Sequence, residues 1–149
     1  MLKMTEGSRN NTAFRHIIGA DDLARHAIRK WLYDTGKDLM ASFNKAVLAK
    51  PRAGREYISR DRRGRRRRHT ASRAGESPAN RTGFYRKSAD FVVRGHQELL
   101  FGVEAEYGAF LELGTKRMAA RPGLGNAVRA SERNTNRRAR NYLERNLSI

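Results

Sequence analysis

An α+β fold is predicted for this chain: a long N-terminal helix packed on a small, mostly antiparallel sheet, with an arginine-rich hairpin or arm and a C-terminal helix. Three observations carry the prediction. Apolar residues recur at helical spacing from Leu23 to Val47; two short alternating runs, Ala89 to Arg94 and Glu98 to Ala105, flank Gly95-His96-Gln97; and Pro122-Gly123 breaks the chain ahead of a final helical stretch. At 149 residues the chain can bury one modest core. The expected division is an N-terminal arm over residues 1–20 and a single domain over residues 21–149, with a basic hairpin or loop at 52–80 and a C-terminal helix at 124–146.

The arm is weakly patterned, with Phe14, Ile17 and Ile18 as its apolar cluster. Asp21 and Asp22 then offer an N-cap and favourable negative charge for the first helix. Its apolar positions are Leu23, Ala24, Ala27, Ile28, Trp31, Leu32, Leu39, Phe43, Ala46 and Val47, and Pro51 stops it. A helix from about Asp22 to about Lys50 spans roughly 40 Å. Gly36 is a candidate bend, and Arg25, Arg29, Lys30, Lys37 and Lys45 form the face left to solvent or to a neighbouring subunit.

Between Arg52 and Arg73 stand ten arginines against only Glu56 and Asp61, so this segment repels itself and cannot form a core strand. A hairpin arm fits, with Tyr57-Ile58-Ser59 and Arg67 to His69 as strand pieces around a turn at Asp61 to Gly64. Phe84 to Ser88 reads as a helical turn or a strand entry. In the second mid-chain strand Leu99, Phe101 and Val103 alternate with Leu100, Gly102 and Glu104, so one face should pack on the long helix. Tyr107, Phe110 and Leu111 fit a short helix closed by Gly114. The last helix, from about Leu124 to about Asn146, has Val128, Tyr142, Leu143 and Leu147 as its apolar contacts and a polar, arginine-rich middle that favours packing on another subunit.

A formal charge of +17 exceeds what solubility needs and points to a polyanion or an acidic protein surface. Without cysteine, disulfide scaffolds, thiol catalysis and Cys-based zinc sites are excluded. No signal-peptide core and no apolar run of roughly 18 residues is present, so a soluble chain without membrane contact is expected. Enzyme chemistry finds no pattern. His16, His26, His69 and His96 are scattered; Asp90, Glu98, Glu104 and Glu106 read as a solvent-facing strand edge rather than convergent ligands; Ser72 and Ser77 lack a partnered base. Gly123-Leu124-Gly125 lacks the Lys and Ser or Thr of a nucleotide loop. Neither a metal nor a cofactor is expected.

The arginine run, with Arg62, Arg63, Arg65, Arg66, Arg67 and Arg68 at its centre, admits a solvated loop, a contact with DNA phosphates, or an arm that reaches an acidic neighbouring protein. Charge count does not choose between the two negative partners. Only Tyr57 is near for stacking, which disfavours a single-strand binder.

The most informative stretch is Glu106 to Pro122, in which Tyr107, Phe110, Glu112, Gly114, Thr115, Lys116, Arg117, Met118, Arg121 and Pro122 follow one another at fixed spacing. Together with Ala71 to Gly83, it resembles the head-to-tail joining, tail-completion or neck proteins of long-tailed bacteriophages of the siphophage type. The resemblance covers Tyr57 to about Val128, about half of the chain. The sequence departs from the family in having Gly123-Leu124 after Arg121-Pro122, where a bulky residue and then leucine are usual, and Tyr85 where leucine is common. The resemblance implies a structural virion protein, not an enzyme, built into a ring, expected to be a hexamer, at the head–tail junction. Its partners would be itself, the head-closure or connector proteins, and the tail-tube or tail-terminator proteins, with possible non-specific contact with packaged DNA. It would be made in the host cytoplasm and end in the virion neck. A tail-terminator ring of the same neck is one alternative, and a free-standing non-specific DNA-binding protein is another.

The residues suggest roles of their own. Gly114 supplies a backbone angle that a side chain forbids, and Thr115 hydrogen-bonds back to the chain at that corner. Glu112 and Arg121 bracket the loop, so a charge-assisted hydrogen bond between them is expected, with a neighbouring subunit as the other destination. Lys116, Arg117 and Met118 are expected to project into an inter-subunit or neck-partner contact.

Overall fold

Residues 8–50 and 52–147 are described by the computed structural model. Pro51 and residues 1–7 lie outside the described residues, as do the side chains of Phe14, Ile17, Ile18, Leu143 and Leu147. The order is α1 (Ser8–Leu48), β1 (Glu56–Arg60), β2 (Arg66–Thr70), α2 (Phe84–Lys87), β3 (Ala89–Arg94), β4 (Glu98–Val103), α3 (Gly108–Leu113) and α4 (Leu124–Leu147). The fold is α+β, with two separate two-stranded antiparallel sheets: β3–β4 is the small mid-chain sheet, and β1–β2 is the arginine-rich hairpin.

Helix α1 begins at Ser8, so residues 8–20 are helical rather than an arm, and Asp21-Asp22 lie inside the helix instead of capping it. The reason is that this stretch holds no proline, and Gly19 alone costs only about 1 kcal/mol in a helix. At 41 residues α1 is roughly 60 Å long. It ends at Leu48, where the Arg52 guanidinium donates to the free carbonyls of Ala46 and Val47 and also to Ser77 O. Arg52 thus caps a helix and does not belong with the exposed arginines that follow it.

The core gathers on the C-terminal half of α1. Leu32, Thr35, Leu39, Phe43 and Val47, spaced three or four residues apart, make its buried stripe. Phe43 and Val47 cluster with Tyr85 of α2, Ala89, Ala105 and Ala127, and Met40, Phe101, Val103, Leu111 and Leu124 pack around them. Phe101 and Val103 therefore do turn one face of β4 toward α1. At Gly36 a methyl group would collide with the Phe91 ring of β3, so glycine marks a close approach of helix and sheet. Tyr33 packs against the same ring at 5.5 Å. The N-terminal half is different, with Leu23 73% and Ile28 39% exposed.

Helix α4 runs antiparallel to α1 and meets it through Ala127 and Ser131, both buried and small enough to let the backbones approach. Val128, expected as an apolar contact, is 49% exposed instead, because the buried stripe runs one residue earlier through Leu124, Ala127 and Ser131. Further along, the contact turns polar. Tyr142 Oη donates to Asp34 Oδ2 at 2.8 Å, and Arg138 pairs with Asp38 at 2.9 Å. α4 is therefore held within its own chain along its length.

Two outcomes are expected on denaturation. Phe43→Ala removes a fully buried ring and should cost about 3–5 kcal/mol, whereas Leu23→Ala should cost under about 0.5 kcal/mol, read from urea midpoints. Asp34 is held below the usual carboxylate range, first by its hydrogen bond with Lys37 and then by Tyr142. A lowered folded-state value stabilises fully above the unfolded value of about 3.9, and the gain is lost as pH falls through the folded value. Tyr142→Phe should thus lower the midpoint at neutral pH, with the gap to the parent narrowing below about pH 4.

Candidate interaction site

The residues singled out between Tyr107 and Pro122 form one corner of the molecule, and Glu112 organises it. One carboxylate oxygen accepts from Tyr85 Oη, Gly123 N and Leu124 N, each at 2.7 Å, and the other accepts from Gly125 N at 3.3 Å. Four donors thus converge on one carboxylate, three of them on the same oxygen. Helix α4 has no acidic residue in its own first turn, so α3 supplies the negative charge that its N-terminus favours. Burial, and then the Glu112 bond, push the Tyr85 phenol well above its ordinary value, so it stays a donor. A Cβ at position 123 would sit 2.6 Å from Tyr85 Oη and 3.2 Å from Phe43, so glycine at 123 makes room for the tyrosine at 85.

This arrangement corrects the expected pairing of Glu112 with Arg121. No ion pair or hydrogen bond joins them among the described residues, because the amides of α4 and Tyr85 occupy the carboxylate. The Arg121 backbone N–H donates to Leu111 O at 2.7 Å, while its buried Nε meets no acceptor.

The rest of the corner is built from backbone. Gly114 has φ 78° and closes α3; a side chain there would meet Met118 O at 2.8 Å. Thr115 and Met118 exchange backbone hydrogen bonds, and Thr115 Oγ1 accepts from Arg117 N at 3.3 Å, the return bond expected of it. Lys116 and Arg117 are exposed at the tip, with Met118 half-buried beneath them. The upstream segment docks on this corner: Gly75 N donates to Ala120 O at 2.9 Å, Ser77 Oγ to Pro122 O at 3.5 Å, and Asn126 Nδ2 to Gly75 O at 3.0 Å. The two stretches that carried the resemblance are therefore one structural unit, and Ser72 and Ser77 are buried supports within it.

Outside the clamp, α3 presents a stripe that no described residue covers. Tyr107 is 40% exposed, Phe110 58% and Leu113 83%, and Phe84 of α2 joins them, 57% exposed and 6.2 Å from the Tyr107 ring. Leu113 and Phe84 were not among the residues singled out from the sequence. The spacing of Tyr107, Phe110 and Leu113, one helical turn apart, was the available sign.

The β1–β2 ribbon stands apart from this corner. Its turn is set by Asp61, whose Oδ1 accepts from Arg63 N at 2.9 Å and Arg65 N at 3.0 Å. These bonds, that of Arg65 N first, hold the Asp61 carboxyl below its usual range. Asp61 also pairs with Arg65 and Arg67, and Glu56 with Arg68. Arg60, Arg62, Arg63 and Arg66 have no ion pair or side-chain hydrogen bond among the described residues, and all four are exposed. No group of three or more metal-binding side chains occurs among the described residues, and no helix there is long and apolar enough to cross a membrane.

No protein-family model, curated protein or solved structure matches the chain.

Glu112→Ala should cost about 3 kcal/mol or more, since it leaves the α4 amides and Tyr85 without their acceptor, and Tyr85→Phe about 1–2 kcal/mol. Arg121→Gln should cost less than either, because it breaks no hydrogen bond of the corner. Urea denaturation of the three variants checks this order.

Proposed function

We propose that this protein is a structural component of the bacteriophage neck that assembles into a closed ring at the head–tail junction and completes the tail or joins it to the head. The observation that carries the reading is the uncovered apolar stripe of Phe84, Tyr107, Phe110 and Leu113 beside exposed Lys116 and Arg117. In a chain so rich in charge, four large apolar side chains on one short helix and its neighbour need a protein partner. Aromatic side chains and arginine are what interface centres favour. The stripe lies within the stretch whose residues resemble the neck proteins, so the two lines of support meet on one surface.

A closed ring uses heterologous contacts, in which one face meets a different face of the next copy. The α3 stripe is one such face. The N-terminal half of α1, with Leu23 and Ile28 exposed and reaching beyond the core, is the complementary candidate. Head-closure and tail-tube proteins would then sit above and below the ring. In this role the chain binds and positions, and it performs no catalysis.

Light scattering on the purified protein, alone and mixed with the neighbouring head and tail proteins, tests the reading. A ring-sized mass is expected from the parent in one of these states. Phe110→Glu with Leu113→Glu should reduce it to the monomer while the circular dichroism spectrum stays unchanged, and Arg117→Glu should weaken it. A parent that stays monomeric in every mixture would overturn the proposal.

A further inference from the structure

The two exposed surfaces differ in chemistry, and that difference separates partners that charge alone could not. From Ser59 to His69 the ribbon contains no apolar residue at all. A protein interface needs buried apolar or aromatic anchors at its centre, and the ribbon tip has none to offer. Phosphates are different: they are bound by charge alone, through release of counterions. We infer that the tip of the β1–β2 ribbon is a contact site for the phosphates of duplex DNA, made by Arg60, Arg62, Arg63 and Arg66.

Ion pairing selects these four. Arg65 and Arg67 pair with Asp61 and Arg68 with Glu56, so although all three are exposed, part of their charge is already offset by a carboxylate. Arg60 and Arg66 stand directly opposite each other across the two strands. Like charges in that position repel, and the fold keeps them without any carboxylate between them. An external polyanion relieves the repulsion. Arginine also suits phosphate geometry, since its planar fork makes two parallel hydrogen bonds to one anion.

Shape agrees with duplex rather than single strands. Each strand of the ribbon is five residues long, roughly 17 Å, and a two-stranded ribbon is narrow enough to enter a major groove about 12 Å wide. Tyr57, the nearest aromatic ring, lies at the base of the ribbon with the Arg55 guanidinium over it, so no stacking platform faces the tip. The inference holds whether or not the chain forms a ring.

Fluorescence anisotropy with a mixed-sequence duplex, titrated across NaCl concentrations, is the test. Each phosphate contact adds about −0.9 to the slope of log K against log salt. Arg60→Gln, Arg62→Gln, Arg63→Gln and Arg66→Gln together should therefore make the slope shallower by about 3–4, with an unchanged or higher melting temperature because the Arg60–Arg66 repulsion is gone. Arg133→Gln with Arg140→Gln, on exposed positions of α4, should leave the slope within about 0.5 of the parent. Poly-L-glutamate should compete at least about tenfold less well than duplex at equal charge. An unchanged slope in the quadruple variant, an equal loss per charge from the α4 variant, or equal competition by polyglutamate would each overturn the assignment. Light scattering on the same quadruple variant keeps this result separate from the neck reading: a ring that binds no DNA sinks only the ribbon site, and a DNA-binding chain that never assembles sinks only the ring.

Discussion

The Glu112 carboxylate is the point on which the rest of the structure depends. It lies on α3, yet it caps α4 and fixes Tyr85 of α2, so one side chain joins three elements. Tyr85 in turn packs against Phe43 at 5.5 Å, which links the clamp to the core stripe of α1. The small core explains why such a device is needed: among the described residues, only Phe43 and Val47 are large side chains buried almost completely. A chain with this little buried apolar volume relies on charge-assisted hydrogen bonds to fix how its helices meet.

Two surfaces hang on that frame, and they are chemically distinct. The α3 stripe is apolar and sits on a corner held by Gly114, Thr115 and Met118, so its side chains are presented on a rigid base. The ribbon is cationic at its tip, with Tyr57 and Ile58 exposed nearer its base, and its turn is held by Asp61. Its base is anchored separately, through Gly54 N to Ala71 O and through Glu76, which accepts from Arg73 N and Ala53 N. A rigid apolar face suits a protein partner, and a rigid cationic tip suits a polyanion. One small chain thus presents two surfaces of different chemistry.

Much of this was readable from the residues. The strand at Ala89–Arg94, the second strand from Glu98 (read to Ala105, ending at Val103), the Asp61 turn and the start of α4 at Leu124 followed from alternation, turn residues and breakers, which are local signals. What escaped was non-local. Nothing near Arg52 says that it caps α1, because its acceptors lie on α1 and on the loop at Ser77. Glu112 was singled out, but its partner was misjudged: Arg121 offers an obvious opposite charge, whereas the α4 amides, scarcely farther along the chain, carry no side-chain signal and become partners only once the chain turns at Gly114 and Pro122-Gly123. The division of the arginines into paired and free ones likewise required the register of β1 on β2. The first helix was begun too late because two aspartates resembled a cap where the chain holds no break.

Native-state hydrogen exchange at Gly123, Leu124 and Gly125 tests the clamp most directly. These amides lie at a helix start, where exchange is ordinarily fast, since the first turn has no intrahelical acceptors. If Glu112 holds them, they should exchange only with global unfolding, at the pace of amides in the centre of α1 around Phe43. Fast exchange at the three positions, while the amides of α1 stay protected, would mean that α4 is not capped from α3 and would contradict the account.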